Sequence, residues 1–566
     1  MMEVKMMLAE WLSAPAQLDS RDVYDLMETP PDPKMGDFAL PCFILAKRFR
    51  KAPPIIAQEI VSSLQKPDVV DSVEALGGYI NIKVSPAFLA QSILAPIRTQ
   101  GALYGSSDEG HDRVICIDYS SINIAKPFHI GHLSSTAIGH ALYNIYRFLG
   151  YRPVGINYLG DWGTQFGKLI VAYKKWGDRA VIERDGVRAM LDIYVQFHDE
   201  AEKDEALNEE ARFWFKKIED KDPEALELFE WFKKVTLREV SRIYDMLGIT
   251  FDSYDGESFF NDKMDRVIDE LREKNLLEED DGAWVVKFDE EDKMPPCLIL
   301  KADGATLYAT RDLASAIYRK EHYDFYKNLY VVAYQQNLHF RQVFKVLDKM
   351  GYEWSKNCEH VAFGMVSMED GTLSTRKGRV VFLEDVFNKA TEKAYDIIAE
   401  KNPELEDKET VARQVGIGAL VYNTLSASRI KDITFSWDRA LTFEGESGPY
   451  CQYTHVKCCS VLRRAGNVPQ GDIDFHAMCD PHTQALIKLL GTYPQAIRQA
   501  CSQNEPFIIT RHITEIAQAY NKFYFENRIL DAEPNERDAR IVLTDITRSI
   551  LSAGLGLLGI ASPERM

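Results

Sequence analysis

The sequence predicts an α/β core on a parallel sheet, preceded by a small α+β module and followed by an all-α bundle. Three observations predict it. First, Val114 to Leu159 reads as strand, turn, helix, strand. Val114-Ile115-Cys116-Ile117 is an apolar run of strand length. A polar turn from Tyr119 to Pro127 follows, and Pro127 suits a helix start because its missing N–H costs nothing there. Apolar residues then recur at Ile130, Leu133, Ala137, Ala141, Leu142, Ile145 and Leu149 with a helical period that stops at Gly150. Val154 to Leu159 supplies a second strand, so the unit is βαβ and a ligand site is expected at the carboxyl end of the first strand. Second, the same plan returns in Asn328–Tyr334 as a buried strand, Phe340–Met350 as its helix and His360–Val366 as the next strand. Third, the chain changes character near Lys408. Amphipathic stretches follow at about 409–429, 446–465, 482–502, 508–530 and 538–559, which make a helical bundle.

The remaining elements fall around these. Ala39 to Arg50 reads as a helix, Ala52-Pro53-Pro54 opens another to about Leu64, and Gly77 to Val84 alternates as a half-buried strand. Lys47-Arg48-Phe49-Arg50-Lys51 is the densest basic cluster. It suits a solvated helix end as well as an RNA-backbone contact. From about Arg179 to Gly248 the chain is highly charged and helical, which reads as an insertion with a solvated outer face. Gly282–Phe288 and Cys297–Thr310 read as strands.

At 566 residues the chain has room for three or four domains. Nine cysteines without paired spacing point to reduced thiols in a cytosolic protein. No stretch reads as a signal peptide or is long enough to span a bilayer. A net charge of −19 argues against indiscriminate nucleic-acid binding but not against a shaped RNA-binding face.

The chemistry concentrates in the first βαβ turn. His129 and His132 are three apart at the helix start and share a face, with Gly131 between them and Lys126 upstream. Unpaired N–H groups and the positive helix end favour a polyphosphate there. The pair alone also describes two surface histidines or half a metal site. No C-x-x-C or H-E-x-x-H accompanies it, so no structural zinc is expected. Gly371 to Arg379, carrying Ser374, Arg376 and Lys377, is a glycine-bracketed loop of hydroxyls and cations, suited to a leaving pyrophosphate or to a plain exposed turn. No P-loop motif occurs.

His129-Ile130-Gly131-His132 matches the HIGH motif of class I aminoacyl-tRNA synthetases. Ser120 to Phe128 before it and Asn157 to Gly167 after it resemble arginyl-tRNA synthetases closely, as do Phe251–Ser258, Phe443–Tyr450 and Pro563–Met566. The resemblance implies a Rossmann-like catalytic domain over 111–407 with a helical insertion at about 179–248. It also implies a tRNA-contacting α+β domain over 1–110 and an anticodon-binding bundle over 408–566. The implied activity is ATP-dependent activation of L-arginine to arginyl-adenylate, followed by transfer to the 3′ end of tRNA. Magnesium would arrive with ATP, no membrane or DNA partner is expected, and a cytoplasmic monomer is expected.

The resemblance assigns roles residue by residue. His129 and His132, with Lys126, would serve the phosphates and transition state, and Gly131, Gly160, His339 and Ser374 would adjoin ATP. Asp118, Asn123, Tyr308, Asp312 and Gln336 would hold arginine. Fork-shaped acceptors would reject lysine, whose single ammonium leaves buried acceptors unpaired. Lys47, Arg48, Arg50, Tyr450, Tyr453, Asn521 and Tyr524 would meet tRNA. The Gly371–Arg379 loop resembles the second class I signature but departs from it. Thr372 and Leu373 stand where the family often has Lys and Met, and Thr375 stands where other class I enzymes have their second lysine. That makes Arg376 and Lys377 the candidate cations. Two other functions fit parts of this pattern: an adenylyltransferase of the same superfamily acting on a small molecule, and a non-catalytic tRNA-binding relative. The helical C-terminal region speaks against the first and the intact histidines against the second.

Overall fold

The computed structural model describes residues 1–302, 306–368 and 382–566. Its central sheet has four parallel strands in the order Cys358–His360, Lys327–Tyr330, Val114–Asp118, Arg152–Ile156. Val114–Asp118 is buried at every position, which is why it reads as a continuous apolar run rather than an alternation. The chain leaves this strand for one neighbour and later returns beside it on the other side. The strand order therefore reverses there, which opens a crevice at the carboxyl ends of Val114–Asp118 and Lys327–Tyr330. Helix Gly131–Phe148 lies against Tyr119 so closely that a Cβ on Gly139 would stand 2.2 Å from that ring.

The strands are shorter than the sequence suggests. Arg152–Ile156 ends before Leu159 because Asn157 turns away, its N–H donating to Ser253 O. Lys327–Tyr330 stops short of Tyr334, where a 3-10 turn Tyr334–Gln336 begins. Cys358–His360 and Val366–Met368 are separate strands, and the second pairs in parallel with Ile433–Phe435. Of Cys297–Thr310 only Cys297–Leu300 is a strand. It closes a three-stranded antiparallel sheet with Glu278–Asp280 and Ala283–Val286, and helix Tyr308–Tyr323 follows.

In the N-terminal module the expected Ala39–Arg50 helix is not formed. Phe38–Pro41 is a strand, paired with Tyr79–Val84 on one edge while Ala39 bridges Glu28 on the other. Pairing on both edges overrides local helix propensity, and helix is left only to a 3-10 turn Phe43–Leu45 and the short α-helix Ala46–Phe49, which ends at Arg50 with φ 52°. The insertion is four helices: Arg179–Asp185, Val187–Ala201, Ala206–Glu219 and Pro223–Leu247. The last begins with an Asp222 side chain accepting Ala225 N–H and ends at Gly248 with φ 66°. Five long helices, Lys408–Leu425, Gly448–Ala465, Pro481–Gln503, Phe507–Glu526 and Pro534–Leu557, form the C-terminal bundle.

The N-terminal module is fastened to this bundle. Arg98 donates to Pro469 O at 2.6 Å and Gly471 O at 3.0 Å, Gln484 Nε2 donates to Pro86 O at 3.0 Å, and Lys488 pairs with buried Asp37. Among the described residues no helix is long and apolar enough to cross a membrane.

Candidate active site and nucleic-acid interface

The crevice is lined first by the turn after Val114–Asp118. Ser120, Ser121 and Ala125 have φ of 68°, 43° and 60°, three non-glycine residues in the left-handed region within six positions. Such backbone costs about 1–2 kcal/mol per residue, and clusters of it mark functional sites. Gly160 faces this turn: its N–H donates to Ile122 O at 2.8 Å and its carbonyl accepts Ile124 N–H at 3.1 Å. A Cβ on Gly160 would stand 2.5 Å from Asn123 Oδ1, so the glycine is needed for Asn123 to sit where it does.

The two histidines touch, with ring centroids 4.0 Å apart. His132 Nδ1 accepts His129 N–H at 3.2 Å, and His129 Nδ1 accepts Gly131 N–H at 3.1 Å. Both neutral rings therefore carry their proton on Nε2, and among the described residues neither Nε2 has a hydrogen-bond partner. The space a Cβ on Gly131 would take is filled by the His129 ring, 2.8 Å away. Burial, then the neighbouring His129, holds the His132 imidazole down to about 3, and burial and Lys126 lower His129. Both stay neutral at physiological pH, so they act as hydrogen-bond donors rather than cations.

Burial also holds His140 down to about 4. A depressed histidine binds its proton more readily in the unfolded chain, so stability is fully present above the ordinary value near 6.5 and is lost as pH falls toward 4 and 3. Between pH 7 and pH 5 each of the two is expected to cost about 2 kcal/mol. Thermal unfolding midpoints measured at both pH values should fall accordingly, and His140→Gln should flatten the slope.

On the other side of the crevice, Tyr308 and Asp312 share a face at the start of helix Tyr308–Tyr323. Tyr308 and Gln336 are exposed, and Asp312 Oδ2 lies 2.6 Å from His339 Nε2. His339, expected near ATP, is thus placed against Asp312, a carboxylate expected to hold arginine. Asp118, expected to hold arginine, holds a guanidinium of the chain: Arg319 Nη2 is 2.7 Å from its Oδ2, and Ser121 Oγ donates to its Oδ1 at 2.6 Å. Arg319 lies on the same helix as Asp312 and is fully buried, near the rings of Tyr158 and Tyr330. Behind it, burial pushes the Glu257 carboxyl up to about 7 although Arg311 lies 3.8 Å away.

Ser374, Arg376 and Lys377 lie outside the described residues. The flanks of that stretch are both fastened. Leu383 N–H donates to Phe128 O at 2.9 Å, tying one flank to the histidine turn, and the pairing of Val366–Met368 with Ile433–Phe435 ties the other. Among the described residues no group of three or more His, Cys, Asp or Glu is placed to hold a metal.

The residues expected to meet RNA fall on two surfaces. Lys47, Arg48 and Arg50 are exposed beside exposed Phe43 and Ile44. Tyr450, Tyr453 and Asn521 line a cavity of about 330 Å³ with Lys401, Phe443, Glu444 and Lys457. Lys457 Nζ meets Asn521 Oδ1 at 2.5 Å and lies 5.7 and 5.2 Å from the rings of Tyr453 and Tyr524, while Asn521 Nδ2 donates to Tyr450 OH at 3.0 Å. Tyr520 and Phe523 are fully buried core residues, and His455 is buried against Pro563 O.

Sequence reasoning missed Arg319, whose one signal is its place seven residues after Asp312 on the same helix face. It also missed three residues of helix Pro223–Leu247: Thr236 and Tyr244, which touch the turn from 111 and 124 residues away, and Lys233, which pairs with Asp161 on the loop opposite from 72 residues away.

Three family models cover most of the chain: the class I (R) tRNA synthetase catalytic domain over 94–437, the DALR anticodon binding domain over 451–566, and the arginyl tRNA synthetase N-terminal domain over 2–84. An arginine–tRNA ligase of Alkaliphilus metalliredigens is 52% identical over the whole of both chains, and one from Halothermothrix orenii is 52% identical over 97% of each. The Thermus thermophilus arginyl-tRNA synthetase structure superposes with a TM-score of 0.77 at 25% identity, covering 95% of this chain and 96% of that one. A Plasmodium falciparum arginyl-tRNA synthetase shares the fold, with a TM-score of 0.79 at 20% identity over 99% of both chains. With a parallel-sheet crevice carrying the paired histidines and a helical bundle behind it, the chain belongs to the arginyl-tRNA synthetases, the arginine–tRNA ligases of class I.

Proposed function

We propose that arginine and ATP meet over the histidine turn and that the two Nε2–H groups hold the phosphates as pyrophosphate leaves. The pair of Nε2–H donors without a partner among the described residues, at a helix start beside Lys126, supports this reading. The arginine carboxylate attacks the α-phosphorus of ATP, giving arginyl-adenylate and pyrophosphate. The terminal ribose hydroxyl of tRNA then attacks the arginyl carbonyl of the adenylate, forming the ester and releasing AMP. Positioning and charge stabilisation suffice for such transfers, and no protein nucleophile is needed. Asp312, oriented by His339, takes the substrate guanidinium with Tyr308, while Asn123 and Gln336 take the amino-acid end. Asp118 contributes as the buried counter-ion of Arg319. Gly131 and Gly160 keep the turn close to the nucleotide, and Ser374, Arg376 and Lys377 meet the phosphates from the second loop. Magnesium arrives with ATP, and the enzyme works as a cytoplasmic monomer.

The tRNA is proposed to lie along the Lys47, Arg48 and Arg50 face and to place unstacked anticodon bases on Tyr450, Tyr453 and Tyr524, with Asn521 supplying an amide. Pyrophosphate exchange into ATP, run with each of the twenty amino acids and with or without tRNA, tests the pocket. Exchange with arginine alone is expected, and exchange with lysine would sink the Asp312 and Tyr308 assignment. Tyr453→Ala is expected to raise KM for tRNA about tenfold, as loss of one stacked base predicts, with kcat for exchange unchanged at saturating tRNA.

A further inference from the structure

The catalytic turn is restrained from outside the nucleotide fold. Its left-handed residues Ser120, Ser121 and Ala125 persist only where neighbours over-determine them. Helix Pro223–Leu247 of the insertion supplies such neighbours. Thr236 is fully buried, and its Oγ1 accepts the Ala125 N–H at 3.1 Å while donating to Phe232 O at 2.9 Å. Two turns further on, Tyr244 OH accepts from Asn157 Nδ2 at 2.8 Å and lies 2.7 Å from Ser120 Oγ. Ser120 Oγ is 2.9 Å from Thr136 Oγ1, which donates to His132 O at 2.8 Å. A turn earlier, Lys233 pairs at 2.7 Å with Asp161, a fully buried carboxylate next to Gly160 that also accepts Ser258 N–H and Oγ–H. One helix therefore touches the turn at both of its strained ends and steadies the loop opposite.

We propose that Thr236 and Tyr244 are positioning residues for arginine activation: they hold Ala125 and Ser120 in the left-handed backbone that presents Asn123 and Lys126 to the substrates. Neither touches the reacting atoms. A half-buried Ala125 N–H deprived of its acceptor would seek water or another partner, and a single-residue relaxation at Ala125 shifts Lys126, the next residue. Misplacement on that scale costs far more rate than stability.

The test is arginine-dependent pyrophosphate exchange by the full-length enzyme with tRNA present. Thr236→Val keeps the side-chain shape and removes the hydroxyl. It is expected to lower kcat at least tenfold with KM for tRNA unchanged, and Thr236→Ser is expected to recover the rate to within threefold. If the valine variant does not fold, Tyr244→Phe carries the test, with a fall of about fivefold expected. The proposal rests on the reading of Lys126 as a phosphate ligand, so Lys126→Ala is measured beside it. A Lys126→Ala enzyme of unchanged rate overturns that reading and the brace with it. A slow Lys126→Ala enzyme beside a Thr236→Val or Tyr244→Phe enzyme within twofold of the parent overturns the brace alone. A Thr236→Ser variant as slow as Thr236→Val marks packing rather than a hydrogen bond and also overturns it.

Discussion

His132→Ala is expected to slow arginine-dependent pyrophosphate exchange by two to three orders of magnitude while leaving tRNA affinity in place. The ring is neutral, donates from Nε2 and sits at the positive end of helix Gly131–Phe148. Removing one preorganised donor of this kind costs about 3–4 kcal/mol of transition-state stabilisation. The substitution also takes away the acceptor for His129 N–H, so the two histidines should behave as a unit and the double alanine variant should be little slower than either single one. kcat at saturating ATP and arginine is the quantity to follow. A fall of less than tenfold would mean that the phosphates are held elsewhere.

The second large effect concerns a pair outside the reaction itself. Arg319→Leu leaves the Asp118 carboxylate buried without its guanidinium and is expected to cost about 3–5 kcal/mol. In a chain of several domains this appears as early unfolding of the catalytic domain rather than as one shifted transition. Thermal inactivation of exchange activity should move down by roughly 10 °C, at about 2–4 °C per kcal/mol for a domain of that size. The double variant Asp118→Leu with Arg319→Leu should recover much of the loss, because an apolar pair carries no unpaid charge. An Arg319→Leu enzyme within about 2 °C of the parent would show that the pair contributes little.

Much of this architecture is legible in the sequence because the signals are local. The βαβ turn, the two histidines and the five C-terminal helices each follow from spacings within twenty residues or so. What escapes reading is long in sequence. Asp118 meets Arg319 201 positions away, Ala125 meets Thr236 111 positions away, and Asp312 meets His339 27 positions away. No periodicity announces such pairs. Asp118 shows the cost: a carboxylate after a buried strand reads as a lone acceptor, and nothing local announces the chain's own Arg319 beside it. The Phe38–Pro41 strand fails for a related reason, since its helix-like composition is outvoted by partners at Glu28 and Tyr79.

The fastening of the N-terminal module to the bundle, through Arg98, Gln484 and the Lys488–Asp37 pair, has a consequence for how an acidic protein holds a polyanion. On the proposed reading, two modest RNA contacts sit on one frame at a set separation. Once the first is made, the second occurs at an effective concentration fixed by that frame rather than by the bulk solution, and the gain can reach 10²–10⁴ without any new contact. Only an RNA whose two ends of contact lie the right distance apart collects it. Selectivity then comes from length and shape, and a net charge of −19 becomes useful because it turns away every nucleic acid that can grip at one end only.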